Sequence, residues 1–439
     1  MSETPGSSRV PLIAAVAIVV GNMVGTGIFS SLGFQVAAMP SGFPILLLWL
    51  MGGLLSFFGA VNYAELTAAF PRSGGEYQLL SRIYHPGVGF VAGWISMVAA
   101  FPAPVAAAAL VFGRQLTAVI GGESETVARM AAAGLIVMVT GAHLISVMFS
   151  GRFQWMATGA KLLLLITLAL CGFFLSAGQP VSFLPQTGDG DLIRQPAFFI
   201  SLVYVLYTYS GWNAACYIAG EMEKPERNVP RALLIGTGIV TLLYLLVNAA
   251  MLYAVPMVDL ASAGDGLAYQ TARYTFHGPA VQIMTGLITA GLASAVSAMT
   301  WAGPRVTQQM GVDYPFLGVL ARANKGGVPW AAVLLQSTLA LLLVFSSSVG
   351  EIMLRTGFLM QLILLLTVWG VVHLRIREPD LPRPFRAWAY PWTTGIFLVV
   401  IGFTLAVILH ERPEDSRWGM AILITGVVFY LIARTPKRS

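Results

Sequence analysis

Charge is what this chain of 439 residues has least of: Asp, Glu, Lys and Arg make up only 10% of it, where an ordinary soluble domain carries about 25%. Cysteine is almost missing. The two present, Cys171 and Cys216, both lie inside apolar runs, which excludes a disulfide framework and leaves buried thiols. No group of His, Cys, Asp or Glu stands at metal-ligand spacing, so no metal or other cofactor is expected. Gly74-Gly75 lacks a following Lys-Ser or Lys-Thr, so no nucleotide loop is indicated. No nucleophile–base pair stands out, which argues against an enzyme. Polar links reach only about 20 residues, which leaves no room for a soluble domain and argues against a receptor with an output module. The short polar leader with one Arg does not read as a cleaved signal peptide, because no polar mature sequence follows it.

What is there is apolar. Hydrophobic residues make up 57% of the chain and the mean hydropathy is +0.77. Windows of about 20 apolar residues give about twelve spans in an all-α membrane protein. The first six are Val10–Ala38, Phe43–Phe70, Val88–Leu116, Val127–Ser146, Phe153–Ala177 and Pro196–Ile218. The second six are Ala232–Pro256, Ala280–Ala302, Trp330–Ser347, Ile352–Leu374, Trp392–His410 and Gly419–Ala433. Pro102 and Pro104 are expected to kink the third. With the N-terminus in the cytoplasm, about 17 Lys and Arg fall on that side and about 7 on the other. This bias places both termini in the cytoplasm. The net charge of +6 is thus a topology signal and gives no support to nucleic-acid binding.

Two spans interrupt themselves. The first carries Gly21-Asn22-Met23-Val24-Gly25-Thr26-Gly27 at its centre, and the sixth carries Tyr207-Thr208-Tyr209-Ser210-Gly211-Trp212-Asn213. Glycine costs roughly 1 kcal/mol against Ala inside a helix. Broken backbone at membrane depth is tolerated only where protein packs it or a cavity solvates it. Ser210-Gly211 alone has a second reading, as a small pair that permits close helix packing. Breaks in spans one and six imply two five-helix repeats of opposite topology, the inverted-repeat architecture of secondary transporters. The expected division is a cytoplasmic tail (1–9), a first repeat (10–177), a second repeat (196–375), two peripheral helices (390–433) and a short tail (434–439).

Four strings in order then resemble the amino acid–polyamine–organocation (APC) superfamily of transporters, and the sixth span is most similar to its L-type amino acid transporter branch. They are Gly21–Phe29; Pro71–Tyr77 with Gly93-Trp94; Tyr209–Asn213 with Glu221–Ala232; and Leu374-Arg375 with Pro379–Phe385. Asn22 stands where many L-type relatives carry Thr, and span eight departs most. The resemblance implies amino acid transport by alternating access. The amides of Gly25, Thr26 and Gly27, at the start of a half-helix, suit a carboxylate, with the Thr26 hydroxyl as a further donor. The resemblance assigns the ammonium to the backbone of Tyr207, Thr208 and Ser210, with Met23 from span one. It places Tyr207 as an aromatic gate, with Trp212 as gate support or packing.

Lys161 lies in the apolar fifth span, where a charge costs at least about 2.5–3.5 kcal/mol. By the resemblance it sits beside the first break where sodium lies in sodium-coupled transporters of this fold. It is expected to donate to carbonyls at Gly21–Met23 in that ion's place, which makes transport sodium-independent. The alternative is a snorkelling lysine. Ser294 and Ser297 in span eight offer hydroxyls as competing sodium ligands, although such small hydroxyls more commonly bond back onto their own helix. Glu65 is expected to pair with a loop base such as Arg72, Glu221 to cap or lock the loop after span six, and His143 to be packed or interfacial. Span three carries no acidic residue, so a neutral L-amino acid is the expected substrate and exchange the expected mode, with proton symport open. A cationic amino acid or polyamine is the alternative. Animal L-type relatives join a single-span glycoprotein through a loop cysteine. Neither cysteine here is in a loop, so no disulfide-linked partner is expected. A bacterial inner membrane is the expected location.

Overall fold

A computed structural model describes residues 10–120, 122, 124–145, 151–324 and 326–433, with the backbone alone at 151–155, 157 and 265. The expected tails, 1–9 and 434–439, lie outside the described residues. Helix dominates, and among the described residues there is no strand, only an isolated bridge between Val10 and Met222. Lipid offers the backbone no partner, so each apolar run closes its own hydrogen bonds as a helix.

Span 1 is Leu12–Met23 followed, after a break, by Ser31–Ala38. Span 2 is Gly42–Ala69, span 3 Pro86–Val119, span 4 Glu125–Ile145 and span 5 Gly151–Leu175. Span 6 is Pro196–Tyr209, then a break, then Ala214–Tyr217. Spans 7 to 12 are Pro225–Ala254, Pro279–Asp313, Trp330–Ser346, Val349–Arg377, Trp392–Glu411 and Pro413–Ile432. Spans 2 and 7 form the most extensive helix pair and flank the broken spans.

The ends differ from expectation where helices outrun the hydrocarbon. Span 7 starts at Pro225 rather than Ala232, because a proline at the first helical position loses no hydrogen bond. Span 8 runs through Pro304 to Asp313 rather than ending at Ala302, and span 12 starts at Pro413 rather than Gly419. The distortion of span 3 precedes its prolines. Residues Ser96–Ala100 form a π-helical turn that ends at Phe101, just before Pro102. Pro102 cannot donate to the carbonyl four residues back and its ring crowds that carbonyl, so the turn widens there.

Two short helices between spans 7 and 8, Met257–Ala263 and Leu267–Thr275, were not expected. The first packs on the second half of span 1: Leu260 O lies 3.0 Å from where a Cβ on Gly33 would stand. Span 10 opens with a Ser348–Glu351 capping box. Arg355 joins it to span 12 through Asp415 at 2.9 Å.

Candidate functional site

The last α-helical bond of the first half of span 1 is Val24 N to Val20 O, at 2.9 Å. Gly25 N then folds back onto Met23 O at 2.9 Å. The next backbone donors to find acceptors are Phe29, on Thr26 O, and Ser30, on Gly27 O. The amides of Thr26, Gly27 and Ile28 therefore have no protein acceptor among the described residues. Thr26 adds a buried hydroxyl without a partner. Free amides at a helix start attract an anion, because their dipoles point outward together. The nearest atom to a Cβ built on Gly25 is Met299 Cε of span 8, at 3.7 Å. Met299 thus lies beside this stretch of span 1.

The sixth span breaks against the first. Gly211 takes φ +98°, in the left-handed region that suits glycine. A Cβ there would lie 2.9 Å from Asn22 O. A Cβ on Gly27 would come within 2.8 Å of Thr208 Cα. The structure thus brings Gly27 against Thr208 and Asn22 against Gly211, while Gly25 faces Met299 and its own Met23. Ser210 N closes on Tyr207 O at 3.0 Å, and the Thr208 hydroxyl donates to Tyr204 O at 2.8 Å.

Tyr244 of span 7 ties the two breaks. Its buried hydroxyl lies 2.6 Å from Met23 O and 3.4 Å from Thr208 O. Met23 O accepts from both Tyr244 and Gly25, which uses both its lone pairs. Met23 O is thus engaged within the break, and of the two carbonyls Thr208 O is the freer acceptor. Nothing in the sequence marked Tyr244, which sits in an ordinary apolar run.

Tyr207 is buried, its Cβ 3.9 Å from a Cβ built on Gly357 of span 10, and its hydroxyl has no partner. Trp212 packs behind the break, edge-on to Tyr63 at 4.8 Å between ring centroids and against Gly59 of span 2.

Lys161 is buried, 6% exposed, with its Cγ 3.8 Å from a Cβ built on Gly291 of span 8. The expected hydrogen bond to Gly21–Met23 is not among those formed. Thr158, one turn earlier, takes the place against Gly21: its Oγ1 lies 2.5 Å from where a Cβ on that glycine would stand. Of the two serines weighed as sodium ligands, Ser297 bonds His143 Nε2 at 3.0 Å, and Ser294 has a buried hydroxyl without a partner. Among the described residues no group of three His, Cys, Asp or Glu is placed to hold a metal.

Two buried carboxylates sit toward the face that carries Val10 and Ala433. Glu65 pairs with Arg375 (2.6 and 3.0 Å) and Arg383 (3.4 Å), and accepts from Ala387 N at 2.7 Å. Arg72, the expected partner, lies beyond the helix end at Ala69, whereas the last turn of span 10 runs alongside Glu65. Glu76, in the short helix Gly75–Ile83, accepts from Tyr63 at 3.1 Å, Tyr217 at 2.5 Å and Asn213. No Lys, Arg or His pairs with it among the described residues. The sequence showed Glu76 only as part of a loop motif, yet it grips the second half of span 6 from below. Its neighbour Tyr77 bonds Asp313 at the end of span 8, at 2.5 Å. Burial first, and then that carboxylate, push the Tyr77 phenol well above its ordinary pKa.

This pairing of broken helices is matched at the level of the whole chain. A family model described as amino acid permease matches residues 11–430. The chain belongs to this family. It is 28% identical to the human cystine/glutamate transporter, over 98% of this chain and 87% of that protein. To the b(0,+)-type amino acid transporter 1 of Mus musculus it is 25% identical, over 98% and 89%. To the serine/threonine exchanger SteT of Bacillus subtilis (strain 168) it is 25% identical, over 98% of both chains. The permease is thus an integral membrane protein of an amino acid transporter family, and its relatives are transporters rather than enzymes.

Proposed function

We propose that this permease exchanges neutral L-amino acids across a plasma membrane without sodium, by alternating access. The observation that carries the reading is the run of free amides at Thr26, Gly27 and Ile28, set against the span-6 break. An amino acid presents a carboxylate and an ammonium a fixed distance apart. The amides of Thr26, Gly27 and Ile28 and the Thr26 hydroxyl take the carboxylate, whereas the expected Gly25 amide is spent on Met23 O. Carbonyls at Tyr207, Thr208 and Ser210 take the ammonium, with Met23 and Tyr244 holding the two breaks in register. Because the backbone reads the common part, selectivity falls to side chains such as Met299.

Neutrality is supported by the acids. The buried carboxylates among the described residues are Glu65, Glu76 and Asp189. Two are engaged as described, and Asp189 by Ser41 Oγ and Gln186 N, each at 2.7 Å. None is left over for a cationic side chain. Sodium independence rests on Lys161 as a fixed charge beside span 8, with Ser297 engaged by His143. Exchange is supported by the similarity to SteT, a serine/threonine exchanger. Both termini face the cytoplasm by the positive-inside bias. The two repeats (10–177 and 196–375) then rock around the breaks, with 390–433 peripheral. Tyr207 gates one side, with Trp212 as its packing support, and the Glu76 latch holds the other. The chain works without a disulfide-linked partner subunit.

The experiment is uptake of labelled neutral amino acids into proteoliposomes, preloaded or empty, with and without sodium and a proton gradient. Stimulation by internal amino acid, indifferent to sodium, is the expected result. A requirement for sodium sinks the role of Lys161 and returns attention to Ser294. Uptake competed by arginine or putrescine but not by leucine or alanine overturns the neutral assignment.

A further inference from the structure

Beside the span-6 break, spans 2, 6, 10 and 11 line a small cavity of about 20 Å³. Its lining includes Ser56, Tyr207 and Gln361, with Trp212, Gly357 and Phe397. Ser210 of the span-6 break also lines it, and the other three polar residues, Ser56, Tyr207 and Gln361, share a property. Ser56 is 2% exposed, Gln361 2% and Tyr207 6%. Yet the Ser56 hydroxyl, the Tyr207 hydroxyl and both the oxygen and the nitrogen of the Gln361 amide have no hydrogen-bond partner. A buried polar atom left unpaired costs roughly 1–3 kcal/mol. Four such atoms on three residues that line one space are a costly set for a dry interior.

We propose that this cavity is a hydration site that holds one water molecule, joining the Tyr207 hydroxyl to the Gln361 amide and the Ser56 hydroxyl. The volume fits: one water needs roughly 10–15 Å³ and two to four polar partners. An amino acid is far too large for it, so the water sits beside the solute site, with Tyr207 and Ser210 lining the cavity as well. A cation is disfavoured, because no carboxylate lines the space and the amide nitrogen is a donor. Water supplies both donors and acceptors. A water bridge costs only about 0–2 kcal/mol of ordering and can be remade after a small shift. Tyr207 is therefore held toward spans 2 and 10 by a partner that yields when span 6 moves, whichever solute is carried.

X-ray radiolytic labelling of the full chain in lipid nanodiscs tests this, because radicals form at bound water and mark the side chain beside it. Tyr209, two residues away, is the internal control: it is fully buried and its hydroxyl donates to Trp49 O at 3.0 Å. Oxidation of Tyr207 with Tyr209 silent is the expected result, and Gln361→Leu should abolish the Tyr207 signal. Tyr207 as silent as Tyr209, or a signal that survives Gln361→Leu, overturns the proposal. The melting temperature gives an independent sign. Removing Gln361 from a wet site takes partners from the water and lowers Tm. Removing it from a dry site relieves an unpaired amide and raises Tm. Ser56→Ala is read the same way if Gln361→Leu does not fold.

Discussion

In span 1 the chain stops being helical and leaves donors free, at Thr26, Gly27 and Ile28. In span 6 it turns through Ser210 and a left-handed Gly211, and the helical carbonyl ladder is interrupted there. The first break is rich in glycine because the other break must approach it closely, as the Gly27–Thr208 contact shows. The second needs glycine for its own φ and for its approach to Asn22. Under the proposed function the two discontinuities divide the work, one for an anion and one for a cation, and packed against each other they form one site for a zwitterion.

The sharpest way to break that division is at Gly211. Gly211→Ala adds a left-handed penalty of roughly 1–2 kcal/mol and drives a methyl into Asn22 O. Uptake should vanish and Tm should fall; wild-type uptake would show that the breaks do not need this contact. Gly27→Ala should also abolish uptake, with the protein still folded by size exclusion, because the amides remain while span 6 is pushed away.

Lys161→Met is next. If Lys161 is the fixed charge of the site, uptake should be lost while Tm holds or rises, since a desolvated ammonium is costly. A snorkelling lysine predicts uptake close to wild type.

The latch comes third, and the protein carries its own reporter. Cys216 is buried in the second half of span 6, where the Thr67 hydroxyl lies 3.2 Å from its sulfur. Hydrogen bonds to a charged acceptor contribute roughly 1.5–3 kcal/mol each. Glu76→Gln should therefore speed maleimide labelling of Cys216 by about tenfold or more, resolved from Cys171 by peptide mapping. Unchanged labelling would make Glu76 a static buttress.

The smallest effect is expected at Thr26. Thr26→Ala removes one hydroxyl donor worth about 1 kcal/mol and should raise KM about fivefold at constant maximal rate. A fall in maximal rate alone would place the hydroxyl in gating instead.

The breaks were legible because glycine and serine clustered inside apolar runs have few other uses in lipid. The span count was legible for the same reason that the ends were not: hydropathy marks the hydrocarbon layer, and spans 7, 8 and 12 project beyond it. Contacts between distant segments left no trace in the sequence. Glu65 meets Arg375 across 310 positions, so local spacing pointed to Arg72. Glu76 reads as a loop acid until span 6 closes over it. Tyr244 is one tyrosine among fourteen, and only the fold sets its hydroxyl between Met23 and Thr208. Span 3 was marked by its prolines, but the strain is released one turn earlier because a proline acts on the carbonyl behind it.

The most direct test of the zwitterion site is competition by blocked substrates. Proteoliposomes holding wild-type permease would take up a labelled neutral amino acid against excess unlabelled amino acid, its methyl ester or its N-acetyl form. Both breaks are required for binding, so the free amino acid should compete and neither blocked form should. Competition by the ester as strong as by the free amino acid would contradict the account, since the amides of span 1 would then not hold a carboxylate.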